Sequence, residues 1–288
     1  MSNDTSIPRR INPESPRHGA VPRPPRPADV RDEETPATGR TLSPDLREYL
    51  GMLANFVPVP EEGVNHDGRS LSDVWMPLGA RELDNLGRAS ADDEDDPGLP
   101  LDGIVLHGNQ RSAVFVGAPG TGRTSLCRYY AANLARELVS GRAVQPVPIL
   151  TYGRFLAEST DQEIADAVAS AAVRSAGLRA DPPKARDAVR DALEYGLLFV
   201  DGVEEIANPG PDQHDSAAHT AAEWSPAQFA ATIVRLEGQF PALRMVVTIS
   251  EAAWFSSTCA KLPSLQAYQL RAPRQRDVEA YIRGWLHQ

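Results

Sequence analysis

The stretch Ala113-Val114-Phe115-Val116-Gly117-Ala118-Pro119-Gly120-Thr121-Gly122-Arg123-Thr124-Ser125 decides how this chain is to be read. An apolar run of strand length opens it and a glycine-rich loop follows. Leu126-Cys127-Arg128-Tyr129-Tyr130 then begins a segment of helical period. Glycines at such a junction let backbone N–H groups turn inward around a phosphate, and the helix N-terminus behind them adds partial positive charge. The spacing fits G-x-x-x-x-G-K-[ST] at every position but one: Arg123 stands where a lysine would reach the β- and γ-phosphates. Thr124 keeps the hydroxyl that holds Mg²⁺ in such loops. Gly117, Ala118, Pro119, Gly120, Thr121, Gly122, Arg123, Thr124 and Ser125 are therefore the candidate nucleotide-binding residues, with ATP, or alternatively GTP, and Mg²⁺ as the expected ligands.

Working outward, compact apolar segments alternate with helical ones. Residues 113–116, 146–150, 197–200 and 244–249 have strand length and nearly continuous apolar character, as strands covered on both faces do. Helix-period stretches at 124–140, 160–176, 182–195 and 226–238 lie between them. Strands and helices alternating at this spacing predict an open, mainly parallel sheet with helices on both sides. Residues 275–287 read as a last amphipathic helix. Upstream, Leu46, Tyr49, Leu50 and Leu53 recur at helical spacing behind the start signal Ser43-Pro44, and 71–78 suggest a short strand.

The second constellation is Leu197-Leu198-Phe199-Val200-Asp201-Gly202-Val203-Glu204-Glu205, an apolar strand running out into carboxylates. Such a strand delivers Asp201 beside the phosphate loop as a Mg²⁺ ligand, with Thr124 as the other. Glu204 or Glu205 can then reach an attacking water as general base.

With both motifs in view, the chain resembles the NACHT family of signal-transduction NTPases, bacterial type, within the STAND class of P-loop proteins. Gly117 to Thr124 is similar to the family's G-x-P-G-x-G-K-T loop (Walker A), including Pro119. Asp201-Gly202-Val203-Glu204-Glu205 is similar to its D-G-L-D-E signature (Walker B), with Glu204 at the second Asp. Val147-Pro148-Ile149-Leu150 with Phe155-Leu156 resembles another family stretch. Leu46-Arg47-Glu48-Tyr49-Leu50 with Val74-Trp75-Met76-Pro77-Leu78 resembles the lead-in of bacterial members. The likeness covers residues 44–288. It implies a P-loop NTPase three-layer sandwich, with 44–98 as a helical and extended lead-in and 99–288 as the NTPase domain. It also implies ATP as ligand, self-association or another protein as partner, and a role in bacterial signalling or defence against phage.

Two departures bear on turnover. Arginine keeps the charge of the missing lysine, but its planar fork is bulkier and spreads that charge differently from a compact ammonium. The family's strand ending T-S-R-P, whose arginine senses the γ-phosphate, is here Thr248-Ile249-Ser250-Glu251. Loss of one charge-stabilising group at such a site costs on the order of 10²–10³ in rate, so slow hydrolysis is expected. The competing reading is a degenerate, non-hydrolysing scaffold that works through protein–protein contacts. An AAA-type motor would call for a sensor arginine and a helical lid, although Arg271 and Arg274 lie where they could reach a neighbour's nucleotide. The chain ends at Gln288, where family members continue into a helical domain, a winged helix and a repeat array, which implies a short paralogue or a fragment.

Composition narrows the rest. The chain has 288 residues and a formal charge of −10, without the basic surplus that binding a phosphate backbone requires. All but two of its 29 basic residues, Lys184 and Lys261, are arginine, so the arginine at 123 follows a chain-wide bias. Residues 1–43 are rich in proline and arginine and poor in apolar residues, and are expected to be a disordered tail. The acidic run Asp92 to Asp96 reads as a solvated loop. Residues 208–225, holding His214 and His219 near Asp212 and Asp215, read as an insertion that lacks the rigidity of a metal site. Cys127 and Cys259 are too few for a disulfide framework. No apolar run approaches a membrane span, and a cytoplasmic location is expected.

Overall fold

The computed structural model describes residues 42–55, 78–83, 98–107, 112–142, 146–153, 163–178, 182–206, 226–256 and 265–271, with scattered positions beyond. Helix α1 (Pro44–Ala54) starts at Ser43, whose hydroxyl accepts from the Leu46 N–H at 3.2 Å, a side-chain cap that satisfies one of the orphan donors of the first turn. Its apolar stripe, Leu46, Tyr49, Leu50 and Leu53, is buried as the spacing predicts.

Among the described residues, seven strands form one sheet in the order β2-β1-β7-β3-β6-β5-β4. They are β1 (Gly79–Glu82), β2 (Leu99–Pro100), β3 (Ser112–Gly117), β4 (Val147–Tyr152), β5 (Gly196–Asp201), β6 (Arg244–Ser250) and β7 (Leu265–Leu270). The pairs β3–β6, β3–β7, β4–β5 and β5–β6 are parallel, and β1 joins both its neighbours antiparallel. The helices that follow α1 are α2 (Leu101–Val105), α3 (Arg123–Val139), α4 (Ile164–Ser175), α5 (Pro183–Ala192), α6 (Pro226–Gln239) and α7 (Glu251–Ser256). The fold is mixed α/β with a mostly parallel sheet, compatible with a three-layer sandwich. The four apolar runs read from the sequence are β3, β4, β5 and β6. The four helical stretches between them are α3, the α4 segment, α5 and α6.

Continuous apolar character has the expected cause. Every residue of β3, β4 and β5 is buried. Phe115, Ile149, Leu197, Leu198 and Phe199 are wholly enclosed, each such side chain worth roughly 1.5–3 kcal/mol of transfer free energy. Helix α3 packs on β4 and β5, while α1 packs on α3 and α5.

Strand β4 is an edge, and its outward N–H groups are all accounted for. Leu150 N–H donates to the Tyr49 hydroxyl of α1 at 3.1 Å, and Tyr152 N–H to Ser175 Oγ of α4 at 3.3 Å. Residue 148, in phase with these two, is a proline and has no N–H to leave open. The edge thus offers no free N–H to a further strand among the described residues.

Three strands carry little signal in the sequence. β1 and β2 are short and carry no β-branched residue, and β7 (Leu265-Gln266-Ala267-Tyr268-Gln269-Leu270) mixes polar with apolar positions. The strand expected at 71–78 falls almost wholly outside the described residues, and the described strand begins at Gly79. All of the expected tail 1–43 except Leu42 and Ser43, the acidic run, the 208–225 insertion, Phe155-Leu156, Cys259 and most of 275–287 also lie outside them.

Candidate functional site

Three strands deliver their C-terminal ends to one place: β3 brings the glycine loop, β5 brings Asp201, and β6, lying between them, brings Thr248. The carboxyl ends of parallel strands are where open α/β sheets bind ligands, because the loops there diverge into a crevice.

The loop leaves β3 at Gly117 and turns tightly. The Thr121 N–H and the Thr121 hydroxyl both donate to the Ala118 carbonyl, at 3.2 and 2.8 Å. A Cβ on Gly117 would lie 2.3 Å from Thr121 Oγ1 and 3.3 Å from Arg123 Cγ, so only glycine lets the loop and the arginine stem close in on it. Gly122, at φ +88°, holds the left-handed turn that feeds α3. No side chain caps the first N–H groups of α3, which face the loop's end with the positive pole of the helix behind them. Thr124 is exposed.

Asp201, only 4% exposed, ends β5. Thr248 Oγ1 donates to its Oδ1 at 2.8 Å and accepts from the Gly202 N–H at 3.0 Å. The Thr124 hydroxyl lies on the same side of this carboxylate as the loop and favours its charged form. Burial pushes the Asp201 carboxyl above the ordinary carboxylate range. The hydrogen bond from Thr248, the nearby Thr124 hydroxyl and the charges of Arg128 and Arg123 pull it back only in part. Cys127, buried one turn into α3, is raised well above an ordinary thiol by burial and by the Asp201 charge beside it, so it is a packed apolar group here rather than a nucleophile.

After Asp201 the chain reverses through Gly202, at φ +70°, into a single 3₁₀ turn, Val203–Ile206. That reversal brings Glu204 back over the loop, where its Oε1 accepts from Arg123 Nη1 in an ion pair. Both side chains are mostly shielded, 18% and 24% exposed. The Glu204 Oε2 is buried without a hydrogen-bond partner among the described residues. Glu205 is the next residue of the same turn.

The sequence-predicted residues Gly117 to Ser125, Asp201 and Glu204 thus converge. Three residues that reading missed also stand here. Thr248 anchors Asp201, and Arg128 Nε donates to the Tyr152 hydroxyl at 3.1 Å, its guanidinium 5.5 Å from that ring's centre. Arg128 follows Thr124 by one helical turn, a spacing visible in the sequence; Tyr152, at the end of β4, carried no signal.

At the end of β6, Ser250 Oγ accepts from the Ala253 N–H and Glu251 Oε1 from Gln269 Nε2, so this strand end starts α7 where the resemblance would place a sensor arginine. The Arg271 N–H donates to the Gly79 carbonyl at the end of the β1–β7 pairing, and Arg274 lies outside the described residues. Among the described residues, no group of three or more His, Cys, Asp and Glu could hold a metal, and no helix is long and apolar enough to cross a membrane. No protein-family model matches this chain, and no curated protein matches it significantly.

Proposed function

We propose that this chain is a nucleotide-binding switch of NACHT type that takes ATP, or GTP, with Mg²⁺ and hydrolyses it slowly. The observation that carries this reading is the strand order, in which β3 and β5 flank β6 in parallel and so bring the glycine loop and Asp201, two motifs far apart in sequence, to the same end of the sheet. The Thr124 hydroxyl and the Asp201 carboxylate, near enough for one to shift the other's titration, are hard oxygen donors of the kind Mg²⁺ accepts, with nucleotide phosphates completing its shell, so these residues fit the ion. Bound there, Mg²⁺ would neutralise charge developing on the phosphates.

The chain's own part is positional. The loop N–H groups and the α3 terminus hold phosphate, Thr248 fixes the Asp201 rotamer, and Glu205 is left as the carboxylate to orient water while Glu204 is engaged by Arg123. Occupied and empty states would then differ in how the module docks on itself or on another protein, in the cytoplasm, as a bacterial signalling or defence component. The charge of −10 argues against nucleic acid as the partner.

Thermal unfolding of the full chain with Mg-ATP and, separately, Mg-GTP tests this. A ligand selective for the native state at 100 times its Kd adds about 2.7 kcal/mol, which reads as a rise in Tm. Absence of a shift at millimolar nucleotide overturns the reading. The Arg123–Glu204 pair favours a second reading, a scaffold that binds nucleotide without turning it over; phosphate release equal in the wild type and in Asp201→Asn would establish it.

A further inference from the structure

The cation at the loop's lysine position, Arg123, is engaged by Glu204, and this has a consequence for which form of nucleotide the site admits. We propose that the Arg123–Glu204 ion pair gates the cradle, so that it takes the Mg²⁺ chelate of a nucleoside triphosphate and discriminates against the metal-free anion. The inference rests on the nucleotide-binding reading above and concerns the regulation of that same site.

Among the described residues, four side chains that can carry charge surround the loop mouth: Arg123 and Arg128, Asp201 and Glu204. Their charges cancel. Arg123 is held by Glu204, and Arg128 is turned onto the Tyr152 hydroxyl and ring. A metal-free triphosphate, carrying about four negative charges, therefore meets two carboxylates while both guanidiniums are committed. To gain Arg123 it must displace Glu204 from a contact that is mostly shielded from solvent, where an ion pair is screened far less than on an open surface. It would also leave Glu204 with neither oxygen paired among the described residues, where Oε2 has no partner.

The chelate enters with its charge largely neutralised and brings a counter-charge for Asp201. Opening the pair then releases Glu204 toward a cationic centre instead of into a cluster of anions. The stem of Arg123, packed against Gly117 with Cγ 3.3 Å from where a Cβ would stand, keeps the guanidinium over the loop in either state. Glu204 is on this account a positioning residue that holds Arg123, not the general base.

Fluorescence titration of the full chain with MANT-ATP, in EDTA and in Mg²⁺, tests the gate in the wild type, Glu204→Gln and Glu204→Asp. Aspartate keeps the charge but falls one methylene short of Arg123, and thermal unfolding shows whether each variant is folded. The wild type should bind at least 100-fold more weakly in EDTA. Both variants should gain about tenfold or more in EDTA, the scale of one charged hydrogen bond, and narrow the Mg²⁺ dependence. Equal EDTA affinity in the wild type and the folded variants overturns the gate while leaving nucleotide binding intact, as does wild-type binding that ignores Mg²⁺. Failure of every form to bind in either buffer overturns the nucleotide reading itself and the gate with it.

Discussion

Asp201 brings an ionisable group into the end of a buried strand, and the cost of doing so predicts a measurable trade between stability and binding. Burial raises its folded-state pKa, so the native chain keeps the proton to a higher pH than the unfolded chain, whose carboxyl titrates near 3.9. Between that value and the raised one the native state binds more protons, and stability falls as pH climbs through the window. Above the window the ionised carboxylate is a constant burden. Asp201→Asn removes it and keeps an oxygen to accept from Thr248. At neutral pH without ligand the variant should melt higher, by roughly 2–4 °C for each kcal/mol recovered in a domain of this size, and the gap should close below about pH 4. Millimolar Mg-ATP should reverse the order, because only the wild type gains from the ligand. A variant that melts lower at neutral pH would show that the Asp201 hydrogen bonds outweigh its desolvation. At this scale the sequence was legible where a residue's role is tied to a local pattern, as for Gly117 to Thr124 and Asp201. It could not show that Arg123 meets Glu204, 81 residues on, because that contact depends on the reversal at Gly202 and on the place of β5 in the sheet.

The elements were legible in proportion to how much of their stability is written in their own side chains. β3, β4, β5 and β6 are buried on both faces and announce themselves by apolar content. β1 and β7 are held by partners instead: Ala80 pairs with Leu270 and Glu82 with Tyr268, and Tyr268 stacks on Phe115 at 5.6 Å between ring centres. A strand defined by its neighbours leaves little trace in its own composition. The same dependence makes the β4 edge a place for a clean test. Tyr49 lies inside the apolar stripe of α1 and reads as core, yet its hydroxyl is the acceptor for the Leu150 N–H. Tyr49→Phe keeps the packing and strands that buried N–H, at a cost of about 1–3 kcal/mol. Ser175→Ala does the same to Tyr152 N–H and leaves only a small void. Urea denaturation should show both losses, nearly additive because the two acceptors come from different helices. A Tyr49→Phe variant as stable as the wild type would mean that the hydroxyl contributes only packing.

For the molecule as a whole, the order of strands sets both where ligand binds and where the structure opens first. β3, β6 and β5 are each paired on both sides, and they carry the loop, Thr248 and Asp201, so the site stands on the best-supported part of the sheet. The opposite margin is different: β2 has two residues, both exposed, and meets β1 through two register pairs. Local opening free energies follow such differences in burial and pairing. Hydrogen exchange should therefore find the slowest amides in 113–116, 197–200 and 245–249, exchanging only through global unfolding, while 79–82 and 99–100 exchange through a smaller local opening. If the site takes nucleotide, Mg-ATP adds protection of two kinds. Amides of 118–125 and Gly202 slow by direct contact, and the central strands slow further because the ligand raises the free energy of global unfolding, while the β1–β2 margin, which opens without disturbing the site, keeps its rate. Equal protection across the sheet without ligand would contradict this hierarchy. A ligand effect at β1–β2 as large as in the centre would mean that the margin and the site open as one unit.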